Sequence, residues 1–443
     1  MHKGPFEQTN KDIKKIQLDD PIGENAVTWK ADYMESSGTH NTGFTSYVKT
    51  LYSRHPLQDY YDDDDIDNLR YMRTTIYGFP MMVFQEHADG SFEYIGKYNF
   101  NYDKSCPNVL GFECENDHPY VPNAKMNEIA ECWELCNNKG TRCSFAQVDF
   151  DEVASDSIDE ETGEVKPGGS LTVLDDFEIR YNYYKDDVEE WMKNPGIENN
   201  LKILEKYENL RKLCDWLYYL HTNPSPGAKN YFTGALENPV IYDTITYTED
   251  NAEYRKAKFK AEFEQHFNLE YCLIYFIMTE LIVAYDSRGK NMMLASWGPQ
   301  AEGGEYIWYP IFYDVDTQLG INNSGVPLWD YDVNPSDNQV FSTPDSVLWN
   351  NFYACFLPQI RAKYADLRSK NLKFETLNGY YDFDPNVSKS YAMQGIRPYV
   401  AYNADEYFKY IAPARQGEGY ITTEGKVDYT DTYYYCAQGT REL

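Results

Sequence analysis

The chain has 443 residues and a mass of 51.7 kDa, about twice the length of an average domain, which favours two domains or one large bilobal unit. Its 71 acidic and 40 basic residues give a formal net charge of −31, which disfavours direct nucleic-acid binding and favours cations or a basic partner. Aromatic residues make up 16% of the chain, with 42 Tyr, whereas disordered acidic chains are poor in aromatics. The composition therefore predicts a folded acidic protein.

The sequence pattern does not predict a secretory signal peptide, because the residues Met1-His2-Lys3-Gly4-Pro5 are not followed by an apolar stretch. The longest apolar stretch, residues 269–284, contains Glu270 and Glu280 and is shorter than the roughly 20 residues that span a bilayer. We therefore expect no membrane insertion, and we interpret this stretch as a buried helix.

The nine cysteines include only one close group, Cys132, Cys136 and Cys143. This spacing is compatible with a structural zinc site. The favoured interpretation is reduced, half-buried thiols in a strand-rich segment of an intracellular protein.

Strand patterns dominate the first half of the chain. Alternation predicts a strand at 27–33, followed by a helix at 44–52, and Asp89-Gly90 predicts a hairpin between 79–86 and 92–100. Further strands are predicted at 132–135, 143–148 and 177–181. Two acidic segments, 62–65 and 151–169, are predicted to be surface loops, with a calcium or basic-partner site as the alternative for the first.

Helical periodicity begins near residue 187. It predicts helices over 201–217 and 254–284 and a third that begins with Thr343 as N-cap and Pro344 at its first position. The sequence therefore predicts an α+β protein with a β-rich N-terminal lobe, residues 1–185, and a mainly helical C-terminal lobe, residues 186–443.

A charged segment follows directly after the apolar helix. Asp286 and Asn291 have the spacing of the kinase catalytic loop, in which the Asp accepts the proton of the attacking hydroxyl and the Asn holds a magnesium ion. Arg288 and Lys290 are candidates for the cation that steadies the transferred phosphate. We therefore predict Asp286, Arg288 and Lys290 as catalytic residues and Asn291 as a metal ligand.

Two carboxylates, Asp314 and Asp316, follow the strand-like apolar run 306–313. Oxygen ligands at this spacing suit a hard divalent cation that keeps several of its waters. They are predicted as metal ligands; the alternative is that they only cap the following turn.

Phosphoryl transfer also requires a cation on the nucleotide phosphates, normally a strand lysine. Lys30 is the first candidate and Lys97 the second; the alternative for both is an ordinary solvent-facing lysine. The chain has no GxGxxG loop, and the backbone of residues 36–43 is the candidate substitute.

The order of these motifs resembles the CotH-type kinase-like family, most closely its divergent members from tailed bacteriophages. The resemblance rests on WKADYMESSGTHN (29–41), GFPMMVFQE (78–86), YIGKYNFNYD (94–103), FEIRY (177–181), DSRGKN (286–291) and YDVDTQLGINNSG (313–325). It implies a bilobal atypical protein-kinase-like fold, with Asp286 as the catalytic-type Asp and Asn291 and Asp314 as metal ligands. The candidate cofactors are Mg²⁺ and ATP.

The chain departs from ordinary kinases in four respects. It lacks the Gly-rich loop, has Ala284-Tyr285 where His-Arg would precede Asp286, carries an insertion at 297–304, and shows no activation-segment signature after Gly320. These departures leave the fold prediction unchanged and leave kinase and pseudokinase as alternatives.

Phage members of the family are usually structural or tail-associated proteins, which implies a component of the virus particle. We therefore predict a bacteriophage virion structural protein, tail- or capsid-associated, made in the host cytoplasm and contacting other virion proteins or further copies of itself. The alternative is an active Mg-dependent kinase that transfers the ATP γ-phosphate to protein hydroxyls. An acidic DNA mimic and a carbohydrate-binding tail protein are the remaining alternatives.

Overall fold

The computed structural model describes residues 16–17, 22–24, 27–30, 40–76, 78–104, 106–135, 145, 148, 150, 153, 158–164, 166, 171–222, 235–284, 287–315, 318 and 346–373. The strands are β1 (Ile16–Gln17), β2 (Gly23–Glu24), β3 (Val27–Lys30), β4 (Gly78–Glu86), β5 (Phe92–Tyr102), β6 (Glu131–Leu135), β7 (Phe177–Asn182), β8 (Ala235–Tyr242), β9 (Ile245–Glu249), β10 (Met292–Pro299) and β11 (Tyr306–Phe312). The helices are α1 (His40–Val48), α2 (Met126–Ile129), α3 (Val173–Asp176), α4 (Lys185–Lys193), α5 (Ile197–Lys206), α6 (Glu208–Thr222), α7 (Ala252–Glu262), α8 (Leu269–Leu281) and α9 (Val347–Ser369). This mixture of helix and sheet is compatible with the predicted α+β class.

Two antiparallel sheets organise the described residues. The first has the strand order β3-β5-β4, and the second has the order β11-β10-β6-β7. The second sheet takes two strands from each side of the boundary predicted at residue 185. Strands far apart in sequence therefore form one surface.

The predicted hairpin in the first sheet is confirmed. β4 and β5 pair around Asp89-Gly90, and the His87 N–H donates to the Ser91 carbonyl at 2.8 Å. Gly90 has a φ of 81°, a left-handed conformation that glycine adopts without a Cβ penalty. The Asp-Gly signal therefore identified the turn correctly.

Helix α8 forms the centre of the core, as its apolar sequence predicted. Residues 271–279 are buried all the way round, and the Tyr275 ring stacks on Phe312 of β11 and on Trp349 of α9. A helix that is apolar on every face is buried on every face. Within the described part of the chain, no helix combines the length and the apolarity needed to cross a membrane.

The predicted long helices are shorter in the structure. The helix predicted over 201–217 is divided at Tyr207, whose ring packs on Trp133 at 4.2 Å, and Leu201 is exposed instead of buried. The helix predicted over 254–284 is divided between α7 and α8, because Asn268 caps α8 by accepting the Tyr271 N–H at 3.1 Å.

The start of the third predicted helix was wrong by a few residues. Helix α9 begins at Val347 with Ser346 as its N-cap, which accepts the Trp349 N–H at 3.4 Å, and Thr343 and Pro344 lie outside the described residues. Pro358 inside α9 accompanies a kink at Phe356, because proline lacks the N–H that a straight helix requires.

Among the remaining predictions, residues 62–65 form an exposed turn, as expected for a solvated loop. The strand predicted at 143–148 lies almost entirely outside the described residues. Cys132 is buried in β6, and burial raises its thiol pKa, whereas Cys136 and Cys143 lie outside the described part. The zinc alternative therefore stays a prediction.

Candidate functional site

The β10–β11 hairpin brings two predicted metal ligands to one end of the second sheet. Its register pairs Met292 with Phe312, so Asn291 precedes one strand and Asp314 follows the other at the same edge. The Asn291 N–H donates to the carbonyl of Leu135, the last residue of β6, at 3.0 Å. Residues 23 positions apart in sequence therefore share one strand edge.

The backbone at this edge is strained. Asn291 has a φ of 53° and Asp314 a φ of 51°, and Val283, at the end of the α8 segment, has a φ of 55°. The left-handed region is uncommon for residues other than glycine, is more accessible to Asn and Asp, and is an outlier for a β-branched residue. Such conformations cluster at functional sites, because the surrounding structure must hold them in place.

Lys30 of the first sheet forms an ion pair with Asp314, through its Nζ atom and the Oδ1 atom of the carboxylate. The two side chains are 31% and 24% exposed, so the pair lies at a partly open surface and not in the core. Lys30 ends β3 and pairs in register with the buried Asn99 of β5. The structure thus joins three of the predicted site residues, Lys30, Asn291 and Asp314, at the meeting of the two sheets.

Arg288 lies in a different environment, packed against the end of α8. Its Nε donates to Thr279 Oγ1 at 3.0 Å, its Nη2 donates to the Phe276 carbonyl at 3.1 Å, and its Nη1 pairs with Glu280 at 2.6 Å. Burial lowers its pKa from the usual value, while Glu280 raises it. The three guanidinium nitrogens of Arg288 therefore all contact groups of α8.

The other predicted site residues are less completely described. Lys290 is half-buried directly before Asn291. Lys97 pairs with Met82 in the backbone register of the first sheet. Asp286 and Asp316 lie outside the described residues, so their predicted roles stay predictions.

A second charged cluster lies beside the strand edge and was missed from the sequence. It consists of Lys104, Glu134, Glu178, Arg180 and Tyr313. Burial raises the pKa of the Tyr313 phenol, and the Glu134 carboxylate adds to the effect. The sequence signals for it were charged residues inside strands: Glu134 in β6, and Glu178 and Arg180 in β7.

The donor set at the strand edge suits magnesium. Asn291 and Asp314 would supply a carbonyl and a carboxylate oxygen, and Mg²⁺ usually takes one or two protein ligands while keeping several waters. Within the described residues, no group of three or more His, Cys, Asp or Glu side chains forms a metal site. Among the described residues, a metal held here would be bound by Asn291 and Asp314; Asp316, the third predicted ligand, lies outside them.

The comparison with protein families supports a CotH-like relationship for the part of the chain that carries the motifs at 286–291 and 313–325. The sequence model of the family described as CotH kinase protein matches residues 237–406, which include Asn291 and Asp314 but not Lys30. The match covers less than half of the chain, and it supports a CotH-like domain in this part of it. No curated protein matches the chain.

Proposed function

We propose that this chain is an atypical kinase-like protein that binds a magnesium nucleotide between the first sheet and the β10–β11 hairpin. The observation that carries the proposal is the ion pair of Lys30 with Asp314 beside Asn291. In protein kinases a strand lysine binds the nucleotide phosphates, and an Asp and an Asn hold the magnesium ions. The similarity of residues 237–406 to the CotH kinase family supports the same conclusion.

The proposed reaction is transfer of the ATP γ-phosphoryl group to a protein hydroxyl. The hydroxyl oxygen forms a bond to the γ-phosphorus, the bond from that phosphorus to the β–γ bridging oxygen breaks, and ADP leaves. Asp286 would accept the hydroxyl proton, and Lys30 would hold the phosphates. Asn291 and Asp314 would hold the metal, which would supply positive charge to the phosphate oxygens.

The test is binding of Mg-ATP followed by phosphate incorporation. We expect Mg-ATP to raise the melting temperature of the wild-type protein, since a ligand that binds only the folded state stabilises it. Asp314→Asn should weaken Mg-ATP binding about 100-fold, because it removes a charged metal ligand. Asp117→Asn is the matched control, since that exposed carboxylate pairs only with Lys125 at 3.4 Å in the described contacts.

The proposal would be overturned if Mg-ATP left the melting temperature of the wild-type protein unchanged and the protein incorporated no labelled phosphate. A protein that binds Mg-ATP without transferring phosphate would be a pseudokinase and would retain the binding half of the proposal.

We propose, as a second role, assembly into a virus particle. Large aromatic side chains are exposed on the described surface, among them Trp29, Phe92 and Tyr183, and aromatic residues are enriched in protein interfaces. The net charge of −31 favours a basic partner surface. Mass spectrometry of purified particles of the source virus tests this role, and absence of the chain from them would refute it.

A further inference from the structure

The cluster beside the strand edge begins with two glutamates that face each other. The register of β6 and β7 pairs Glu134 with Glu178, and like charges directly opposite are unfavourable. Arg180 compensates them: its Nη1 donates to Glu178 at 2.6 Å while its Nε donates to Glu134. The carboxylates are therefore held in fixed positions by one guanidinium.

Lys104 extends this cluster to the loop that carries Asp314. It follows β5 of the first sheet, and its Nζ lies 3.7 Å from the Glu134 carboxylate and 4.9 Å from the centre of the Tyr313 ring. A cation at that distance over an aromatic ring is attracted by the ring face. Lys104 therefore touches the residue immediately before Asp314.

Two of the predicted metal ligands, Asn291 and Asp314, are connected to this cluster through neighbouring residues. Tyr313 precedes Asp314, and Glu134 precedes Leu135, whose carbonyl accepts the Asn291 N–H. Glu134 also pairs in register with Met293, two residues after Asn291. Displacement of Lys104 would thus remove one of the contacts on the Asp314 side of the edge, where the Lys30 ion pair remains, while Glu134 and Arg180 would keep the Asn291 side in place.

We infer that Lys104 is a positioning residue for metal binding: anchored by Glu134, it holds Tyr313 and so orients Asp314 toward a magnesium nucleotide. This inference rests on the proposed function. Residues that orient metal ligands typically change metal affinity 10- to 100-fold when they are removed. A merely structural lysine, 41% exposed and paired at 3.7 Å, would contribute little to stability and nothing to metal selectivity.

The experiment compares nucleotide binding with and without metal. Calorimetry with Mg-ATP and with ATP in EDTA would be run on wild type, Lys104→Met and Lys104→Arg. We expect Lys104→Met to weaken Mg-ATP binding about 10-fold or more and to leave metal-free ATP binding unchanged. Lys104→Arg keeps the cation over Tyr313 and should recover most of the loss.

Lys193→Met is the matched control, because that lysine pairs with Glu190 at 3.1 Å on an exposed face of α4. It should bind both forms of the nucleotide as the wild type does. The partly exposed Lys104 can be replaced without opening the core, and a thermal melt of each variant checks that it is folded.

The outcomes separate this inference from the function on which it rests. Wild-type protein that binds no Mg-ATP overturns the proposed function and this inference with it. Wild-type protein that binds, with Lys104→Met equal to it, overturns the positioning role alone. Equal losses with and without metal also overturn it, because they would make Lys104 a direct phosphate ligand.

Discussion

Two cations of the predicted site, Arg288 and Lys30, occupy opposite kinds of environment. Arg288 is buried, and the groups that accept its hydrogen bonds and its ion pair, on Phe276, Thr279 and Glu280, lie on the last turns of α8. Lys30 is partly exposed and pairs with Asp314, 284 positions away. One cation completes a helix end, and the other bridges two sheets.

The difference shows how to separate structural from ligand-binding charges in this chain. The buried Arg288 guanidinium donates to a hydroxyl and a carbonyl of α8 and pairs with Glu280, so the fold itself uses this charge. A partly exposed ion pair contributes little to stability and can exchange its partner for a ligand. The comparison therefore favours Lys30 over Arg288 as the phosphate-binding cation.

The largest effect is expected at Arg288. Arg288→Ala removes a charged donor from the Phe276 carbonyl and the Thr279 hydroxyl, and hydrogen bonds to charged groups contribute about 1.5 to 3 kcal/mol each. The ion pair adds less, because the Glu280 side chain is 44% exposed. Urea unfolding would measure the loss in the free energy of unfolding. Arg288→Lys keeps the charge without the planar fork and should recover only part of the loss.

Stability of Arg288→Ala within about 1 kcal/mol of wild type would contradict this account, because surface pairs have that magnitude. The charge of Arg288 would then contribute as little to stability as that of Lys30. The predicted role of Arg288 as a phosphate-binding cation would again be supported.

Glu131 is a buried carboxyl group that is held, in the described part of the chain, by hydrogen bonds and not by an ion pair, which makes it a third case beside Arg288 and Lys30. Glu131 of β6 accepts hydrogen bonds from Asn209 at 2.7 Å and from the Trp133 indole at 2.9 Å, and burial raises its pKa to about 7. Because the folded-state pKa exceeds the unfolded value, this group stabilises the fold below about pH 4.5, and that stability is lost as pH rises through 7. The shift corresponds to about 3 kcal/mol.

Glu131→Gln removes this titration. The free energy of unfolding of the variant relative to wild type should therefore rise between pH 4.5 and pH 8, by up to about 3 kcal/mol. Glu264→Gln, which removes a carboxylate at an exposed position, is the control and should show a nearly constant difference. A constant difference for Glu131→Gln as well would refute the prediction.

The sequence predicted those features that depend on local pattern. Alternation and Asp-Gly identified the β4–β5 hairpin, and the strands predicted at 132–135 and 177–181 correspond to β6 and β7. Spacing and order identified Asn291 and Asp314 as candidate ligands, but the β10–β11 hairpin that brings them to one end of the second sheet was not predicted.

The features that were missed depend on tertiary contacts. Periodicity continued through Tyr207 and through 263–268, although packing on Trp133 and the Asn268 cap divide those helices. Arg288 is buried because its segment packs against the end of α8. The spacing of residues in one sequence does not predict this contact. The second charged cluster contains Lys104, Glu134 and Arg180, which come from three strands or their ends. Their proximity depends on how the strands pair, so it could not be predicted from their spacing in the sequence.

The smallest effect is expected at the ion pair itself. In EDTA, a double-mutant cycle of Lys30→Met and Asp314→Asn should give a coupling energy of about 0.2 to 1 kcal/mol, because the pair is partly exposed and screened by water. Urea unfolding of the four proteins provides the measurement. A coupling energy above about 3 kcal/mol would instead indicate that Lys30, like Arg288, is a structural charge. Lys30 would then no longer be preferred over Arg288 as the phosphate-binding cation.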